Sequence, residues 1–289
     1  MTTVRALRDE GRDRLARSAA IDQVPPSRPK WDAETLLAHV LGEEEFDDLD
    51  PDAVVPSRSR DRFRRLVRRR AGGEPIAHII GEIEFRGLRL RIRPGAFVPR
   101  QSSEFLVEQA VRRLRGRRKP VHVDVATGAG PVALAVAAEV RRAEVYGTDL
   151  LATGLRHARA NARTLGLGNV HFHTGDLLSS LPRRLRRSVD VLTLHPPYVP
   201  KEEIRELPLE IRGFEPAEVL TDFSEQGIGL VERTAEEAWD WLRPGGWILI
   251  EVSGDRVRLV KRVLRGTGYG GVESTKGWPF VTRVVVARA

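Results

Sequence analysis

The sequence contains no cysteine. That excludes disulfides, thiolate metal sites and thiol nucleophiles together. No apolar run approaches the 18 or more residues that a membrane-spanning helix needs. The opening residues, Met1-Thr2-Thr3-Val4-Arg5, carry no continuous apolar stretch of the secretory kind. Lysine is scarce: it occurs only at 30, 119, 201, 261 and 276 among 48 basic residues. The net charge of +8 is therefore an arginine excess, spread over many local patches rather than one stripe. Codon bias in a GC-rich genome would produce such a skew on an ordinary solvated surface. The competing reading is an acidic or RNA-bearing partner. Neither a G-x-G-x-x-G dinucleotide fingerprint nor a G-x-x-x-x-G-K-[ST] phosphate loop is present, and no internal repeat is visible. A cytoplasmic protein with no membrane association is expected.

With 289 residues, 41% hydrophobic and 30% charged, the chain can bury two cores, one of them small. The first portion reads as helical. Trp31 to Leu41 puts Leu37, Val40 and Leu41 on one face before Gly42. A second helix is predicted from Ser57 to Arg70, with Phe63, Leu66 and Val67 apolar amid eight arginines. Arginine stems can cover apolar surface while their heads stay in water, so this helix needs no ligand; docking an acidic or ribonucleoprotein partner is the sharper alternative. Gly72-Gly73-Glu74-Pro75 breaks the pattern. Leu88, Leu90 and Ile92 then alternate with arginines after an Arg86-Gly87 turn, which predicts a β-hairpin ending at Pro94-Gly95.

From about Gln101 helices and strands alternate. Ser102 or Ser103 can cap a helix striped by Leu106, Val107, Ala110, Val111 and Leu114. Strands are predicted at 121–125, 144–148, 170–173, 189–194, 247–252 and 281–287. Helices fall from Val132 and at about 153–165, 227–242 and 255–265. This is an α/β pattern, a mostly parallel sheet covered on both faces.

Asp124-Val125-Ala126-Thr127-Gly128-Ala129-Gly130 lies where the first of these strands turns into a helix. Such a turn lets backbone approach a ligand and offers free N–H donors, or it is only a tight connection. The second strand ends in Asp149, 19 positions after Gly130, where an acid can take both hydroxyls of a ribose or cap the next helix. Gly175-Asp176 after the third strand can reach an adenine amino group, or be a turn. Together the three favour an adenosine-bearing cofactor.

The most informative stretch is His195-Pro196-Pro197-Tyr198, directly after the apolar strand Val189–Leu194. Two prolines fix the backbone and leave carbonyls without N–H groups of their own. Those carbonyls can grip the N–H bonds of a substrate nitrogen and turn its lone pair towards a methyl donor.

On these residues the chain resembles the HemK/PrmC family, which methylates the glutamine side-chain amide in the Gly-Gly-Gln loop of peptide-chain release factors. The resemblance spans nearly the whole sequence. It includes Glu74 to Gly81, Glu84 to Leu88, Val98-Pro99-Arg100, Asp124 to Gly130, Asn161-Ala162, Glu210 to Pro216, Leu242 to Gly246 and Thr282 to Arg288. It implies a Rossmann-like S-adenosylmethionine-dependent methyltransferase domain at 101–289, with a seven-stranded, mostly parallel sheet. A small helical domain at 1–78, for substrate recognition, would be joined to it by a β-hairpin at 79–100. S-adenosylmethionine is the implied cofactor, bound by Asp124, Ala126, Thr127, Gly128, Gly130, Asp149, Asp176, Leu177 and His195. His195, Pro196, Pro197 and Tyr198 are the implied catalytic residues. Arg100, Glu104 and Glu215 would bind substrate, and no metal is expected.

The chain departs from the family where the substrate is gripped. His195 replaces an Asn, Gln101-Ser102-Ser103 replaces Pro-Glu-Thr, Ala126 replaces a glycine of the cofactor turn, and Ile228 falls near a usual Asp. Ala126 is tolerable at negative φ. A neutral imidazole has one acceptor nitrogen, so His195 can mimic the Asn oxygen in one tautomer, act as a base, or merely pack. Glutamine methylation of a release factor is the main expectation. N-methylation of a small molecule, such as free arginine or a natural-product precursor, is the alternative. A non-catalytic cofactor-binding protein docking on RNA or ribosomes is the third reading, and nucleic acid enters only indirectly.

Overall fold

Apolar side chains at helical spacing build the first unit from α1 (Val4–Ala16), α2 (Arg28–Leu41), α3 (Ser57–Ala71) and α4 (Ile76–Ile80). In the computed structural model, which describes residues 1–277 and 282–289, this unit comprises 1–82 together with 205–215. Thr3 caps α1 by accepting from the Ala6 N–H, and Gly42 closes α2 in the left-handed region at φ 89°. Leu7, Leu15, Leu36, Leu37, Phe63 and Val67 form the core between the helices.

One arginine of α3 contradicts the expectation that every guanidinium stays in water. Arg70 is wholly buried, its Nε 2.6 Å from Asp32 Oδ2 and its Nη2 2.6 Å from Glu210 Oε2. Glu210 also accepts from the Asp22 N–H and from Arg28 Nη2. Two carboxylates thus neutralise one buried cation and fasten the 205–215 segment into this unit. Removing one partner from such a group costs about 3–5 kcal/mol, because the rest is left charged and buried.

The second unit comprises 83–204 and 216–289. Its elements are β1 (Glu82–Phe85), β2 (Leu88–Arg91), α5 (Ser103–Leu114), β3 (Val121–Val125), α6 (Pro131–Glu139), β4 (Glu144–Asp149), α7 (Ala152–Thr164), β5 (Val170–Thr174) and β6 (Val189–Leu194). After the short α8 (Leu209–Arg212), which belongs to the first unit, come α9 (Gly229–Ala238), β7 (Leu242–Val252), α10 (Val257–Gly266), β8 (Gly270–Lys276) and β9 (Arg283–Arg288). The seven-stranded sheet runs β5-β4-β3-β6-β7-β9-β8, parallel from β5 to β7, with β9 antiparallel to β7 and β8 antiparallel to β9. One face packs against α5 and α6, the other against α9 and α10. No helix among the described residues is long and apolar enough to cross a membrane.

The hairpin β1–β2 packs within this second unit, where Phe85 and Leu90 join the core of α5. Asn161 of α7 latches it, donating to the Arg91 carbonyl and accepting from the Arg91 N–H. Capping of α5 is corrected: Ser102 makes no side-chain capping bond, and Ser103 lies inside the first turn. The strand β8 escaped the sequence pattern because it is an edge strand, mostly exposed, that begins Gly270-Gly271. Val281, expected to open the last strand, lies outside the described residues.

Candidate active site

Chain order reverses between β3 and β6: the chain passes from β3 outwards to β5, then returns to β6 on the other side of β3. In an open α/β sheet this switch point opens a crevice at the carboxyl ends of the strands. Register makes the geometry specific. Val125 pairs with Leu194, so Ala126 and His195 leave adjacent strands at the same level, about 4.8 Å apart by strand spacing. Leu194 pairs in turn with Ile250 of β7, which sets Glu251 level with His195 on the other side.

The turn after β3 is held by its own side chains. Asp124 is buried with both oxygens occupied, Oδ2 accepting from Thr127 Oγ1 at 2.5 Å and Oδ1 from Thr193 Oγ1 at 2.7 Å. Burial pushes its carboxyl up to about 6, against the lowering effect of those two hydroxyls. Behind it the buried His122 sits 3.0 Å from Thr193 Oγ1, its pKa driven down to about 3 by burial. Asp124 and Thr127, both expected at the cofactor, are buried and bonded to each other, so they also shape the turn. Asp149 accepts from the Gly128 N–H at 2.7 Å and the Leu151 N–H at 2.8 Å, so the turn and the end of β4 are tied together. One donor on each oxygen leaves lone pairs for ribose hydroxyls.

Ala126 does not have the expected negative φ. It stands at φ 54°, in the left-handed region, followed by Gly128 at 56° and Gly130 at 81°. The turn requires this path because the Thr127 N–H bonds to the Thr148 carbonyl and the Gly130 N–H to the Thr127 carbonyl. A Cβ built on Gly128 would meet nothing within 4 Å, so the outer side of the turn is an open cradle. An adenosine-bearing group fits that combination of open backbone and a carboxylate at the next strand end. Gly175 donates to the Asp149 carbonyl, bringing the third strand end alongside. The Asp176 side chain, however, is ion-paired with Arg233 and half exposed, and Leu177 is buried in the core at φ 48°.

On the other side of the crevice, the two prolines are not equivalent. The Pro197 carbonyl accepts from the Asp222 N–H at 3.1 Å, and Val199 and Leu220 continue this pairing, whereas the Pro196 carbonyl accepts no hydrogen bond among the described residues. The Tyr198 carbonyl lies so close to Gly227, at φ 64°, that a Cβ there would sit 2.2 Å from it. Gly227 therefore backs the loop as no other residue could. Tyr198 stacks on His195 at 5.7 Å and 17°, and Phe97 meets the imidazole edge-on at 5.7 Å. Burial holds Tyr198 protonated, its pKa up to about 12.

His195 Nδ1 lies 3.0 Å from Ser103 Oγ and 3.6 Å from Glu251 Oε2. Burial lowers its pKa, Glu251 opposes that shift and Arg100 adds to it, so the ring is neutral at pH 7. Glu251 is wholly buried, and neither of its oxygens has a hydrogen-bond partner among the described residues. Of the three residues expected to bind substrate, Arg100 adjoins this cluster, and its charge acts on His195. Arg100 lies over the Phe97 ring at 4.4 Å. Glu104 accepts from the Arg86 N–H at 2.9 Å and so secures the hairpin turn. Glu215 belongs to the first unit, where it is buried. Sequence reasoning missed Ser103, Phe97 and Glu251 as neighbours of His195. A carboxylate closing the apolar run Ile248-Leu249-Ile250 was the one available signal.

Residues 7–81 match the PrmC N-terminal domain family, and residues 119–266 match a methyltransferase domain family. The release factor glutamine methyltransferase of Bordetella pertussis is 35% identical over 90% of this chain and 94% of its own length. That of Coxiella burnetii is 32% identical over 90% of this chain and 92% of its own. Among solved structures, a methyltransferase from Pyrococcus furiosus shares the fold, with a TM-score of 0.50 and 18% identity over 70% of this chain and 89% of that one.

Proposed function

We propose that this chain, which belongs to the release factor glutamine methyltransferase family and is an S-adenosylmethionine-dependent N-methyltransferase, methylates the side-chain amide of a release-factor glutamine. The observation that carries the reading is the Pro196 carbonyl beside the His195 imidazole, at the strand end next to the cofactor turn. Bound S-adenosylmethionine supplies an electrophilic methyl on a sulfonium. Asp149 and the turn from Ala126 to Gly130 hold its nucleoside, through carboxylate lone pairs and open backbone.

The chain's task is to activate a poor nucleophile, because an amide lone pair is delocalised into its carbonyl. The Pro196 carbonyl and one imidazole nitrogen accept the two amide N–H bonds. That raises electron density on nitrogen and fixes its direction. Each placed dipole of this kind is worth about 3–4 kcal/mol of barrier. Tyr198 lines the pocket, and its ring face suits a cationic sulfonium. A release factor as partner would put the enzyme in the cytoplasm.

N-methylation of a small molecule is favoured by one observation, the rebuilt surroundings of His195, where an imidazole next to a carboxylate also suits a substrate that must lose a proton. A labelled-methyl assay offering a release factor alongside free glutamine, free arginine and small amines separates the two. Label is expected in the release factor, and His195→Asn should retain amide methylation within a few-fold. Label confined to a free amine or amino acid would sink the protein-substrate reading.

A further inference from the structure

A wholly buried carboxylate with no hydrogen-bond partner among the described residues needs a physical reason, since burying an unpaired charge is costly. Glu251 stands at the end of β7, where both neighbours in the strand are apolar core residues, and the His195 ring faces its Oε2. At 3.6 Å the contact is too long for a hydrogen bond but close for a charge facing an N–H dipole. The same ring nitrogen, Nδ1, meets the Ser103 hydroxyl at 3.0 Å. Both neighbours therefore address one nitrogen of His195 and leave the other, Nε2, for the substrate.

We propose that Glu251 and Ser103 are positioning residues that hold His195 as its Nδ1–H tautomer, so that Nε2 presents a lone pair to the substrate nitrogen. This rests on the amide-methylation reading only for the identity of that nitrogen. A buried carboxylate attracts the N–H end of the ring, and the hydrogen bond made by one ring nitrogen decides the state of the other. The Ser103 oxygen accepts from Nδ1–H. The tautomer matters because Nε2–H would meet an amide N–H donor to donor.

The arrangement also gives a proton somewhere to go. As the methyl carbon leaves sulfur with the bonding pair going to sulfur, the amide nitrogen gains an N–C bond and sheds one N–H proton. Nε2 takes that proton, and Glu251 stabilises the resulting imidazolium through Nδ1–H before the proton passes to solvent. An asparagine oxygen can accept the hydrogen bond but cannot hold the proton.

The test reads the ring directly, in the full chain without cofactor. Ring nitrogen-15 spectra, with His195→Asn used to assign the signal, should show His195 protonated on Nδ1 and bare on Nε2 at pH 7.5. Glu251→Gln keeps the shape and removes the charge; Ser103→Ala removes the hydroxyl. Both variants should show a growing Nε2–H population. In the methyl-transfer assay Glu251→Gln should lose about tenfold in kcat with KM for the acceptor little changed.

The pH profile separates positioning from structure. Activity needs neutral His195, so it is present at higher pH and lost as pH falls through the His195 pKa. Glu251 raises that pKa, while burial and Arg100 lower it; Tyr198, the other titratable group on the ring, stays protonated throughout. Removing the Glu251 charge therefore moves the acid limb to lower pH, whereas a merely structural defect lowers activity without moving the limb. An Nε2–H tautomer in the wild type would overturn the proposal. So would an unchanged tautomer in both variants, or an unmoved acid limb in Glu251→Gln. Because the spectra need no acceptor, they fail or succeed independently of which substrate is methylated.

Discussion

The two sides of the crevice are built on different principles. The cofactor side is mostly backbone: N–H groups of an exposed turn, with the side chains of Asp124, Thr127 and Thr193 satisfying one another underneath. The acceptor side depends on particular side chains, and it contains the one carboxylate of the crevice left without a hydrogen bond among the described residues. A site made of backbone tolerates a changed residue if the path of the chain survives. A site made of side chains does not. That is why Ala126 in the turn needs no visible partner, whereas His195 on the other side comes with Ser103 and Glu251.

The sharpest test of this division is His195→Ala. Loss of one placed acceptor at the reacting nitrogen should lower kcat by about 100- to 1000-fold, with S-adenosylmethionine affinity by calorimetry unchanged within twofold. A parallel fall in cofactor affinity would mean that the imidazole holds the cofactor as well, and the two sides would not be separable. The reciprocal change is Asp149→Ala. Hydrogen bonds to an ionised group contribute about 1.5–3 kcal/mol, so cofactor affinity should fall about 10- to 100-fold. The His195 nitrogen spectrum should stay as it is. Unchanged calorimetric affinity would refute the ribose assignment.

Much of this is legible in the sequence. The parallel strands showed as short apolar runs ending in turn residues, and the helices as stripes of period 3.6, because both are dictated by burial. The positions of Asp149 and His195 followed from their place at strand ends. What could not be read was pairing across the chain. Ser103 and His195 are 92 residues apart, and only the packing of α5 on β6 and β7 brings them together. Glu104 reads as a substrate residue and Asn161 as a motif residue with no assigned task; both secure the hairpin. Arg70 looked like its seven solvated neighbours on α3, since nothing local marks the one that meets Asp32 and Glu210. The sign of φ at Ala126 was equally hidden, because it is set by the hydrogen bonds of Thr127 and Gly130.

That last residue provides the mildest test, and it probes the tolerance claimed for the cofactor side. A left-handed alanine costs about 1–2 kcal/mol relative to its ordinary conformation. Glycine would relieve this, at the expense of about 0.5–1 kcal/mol of backbone entropy on folding. It would also give up a methyl group that packs, partly buried, against the sheet core. The balance for Ala126→Gly is a gain of about 0.5 kcal/mol, or a rise of about 1–2 °C in Tm for a unit of this size. Cofactor affinity and methyl transfer should stay within twofold, because the turn already follows the path that glycine prefers. A fall in Tm would mean that the methyl's packing outweighs its strain. A large change in cofactor affinity would be more serious, since it would show that this side of the crevice, too, depends on one side chain.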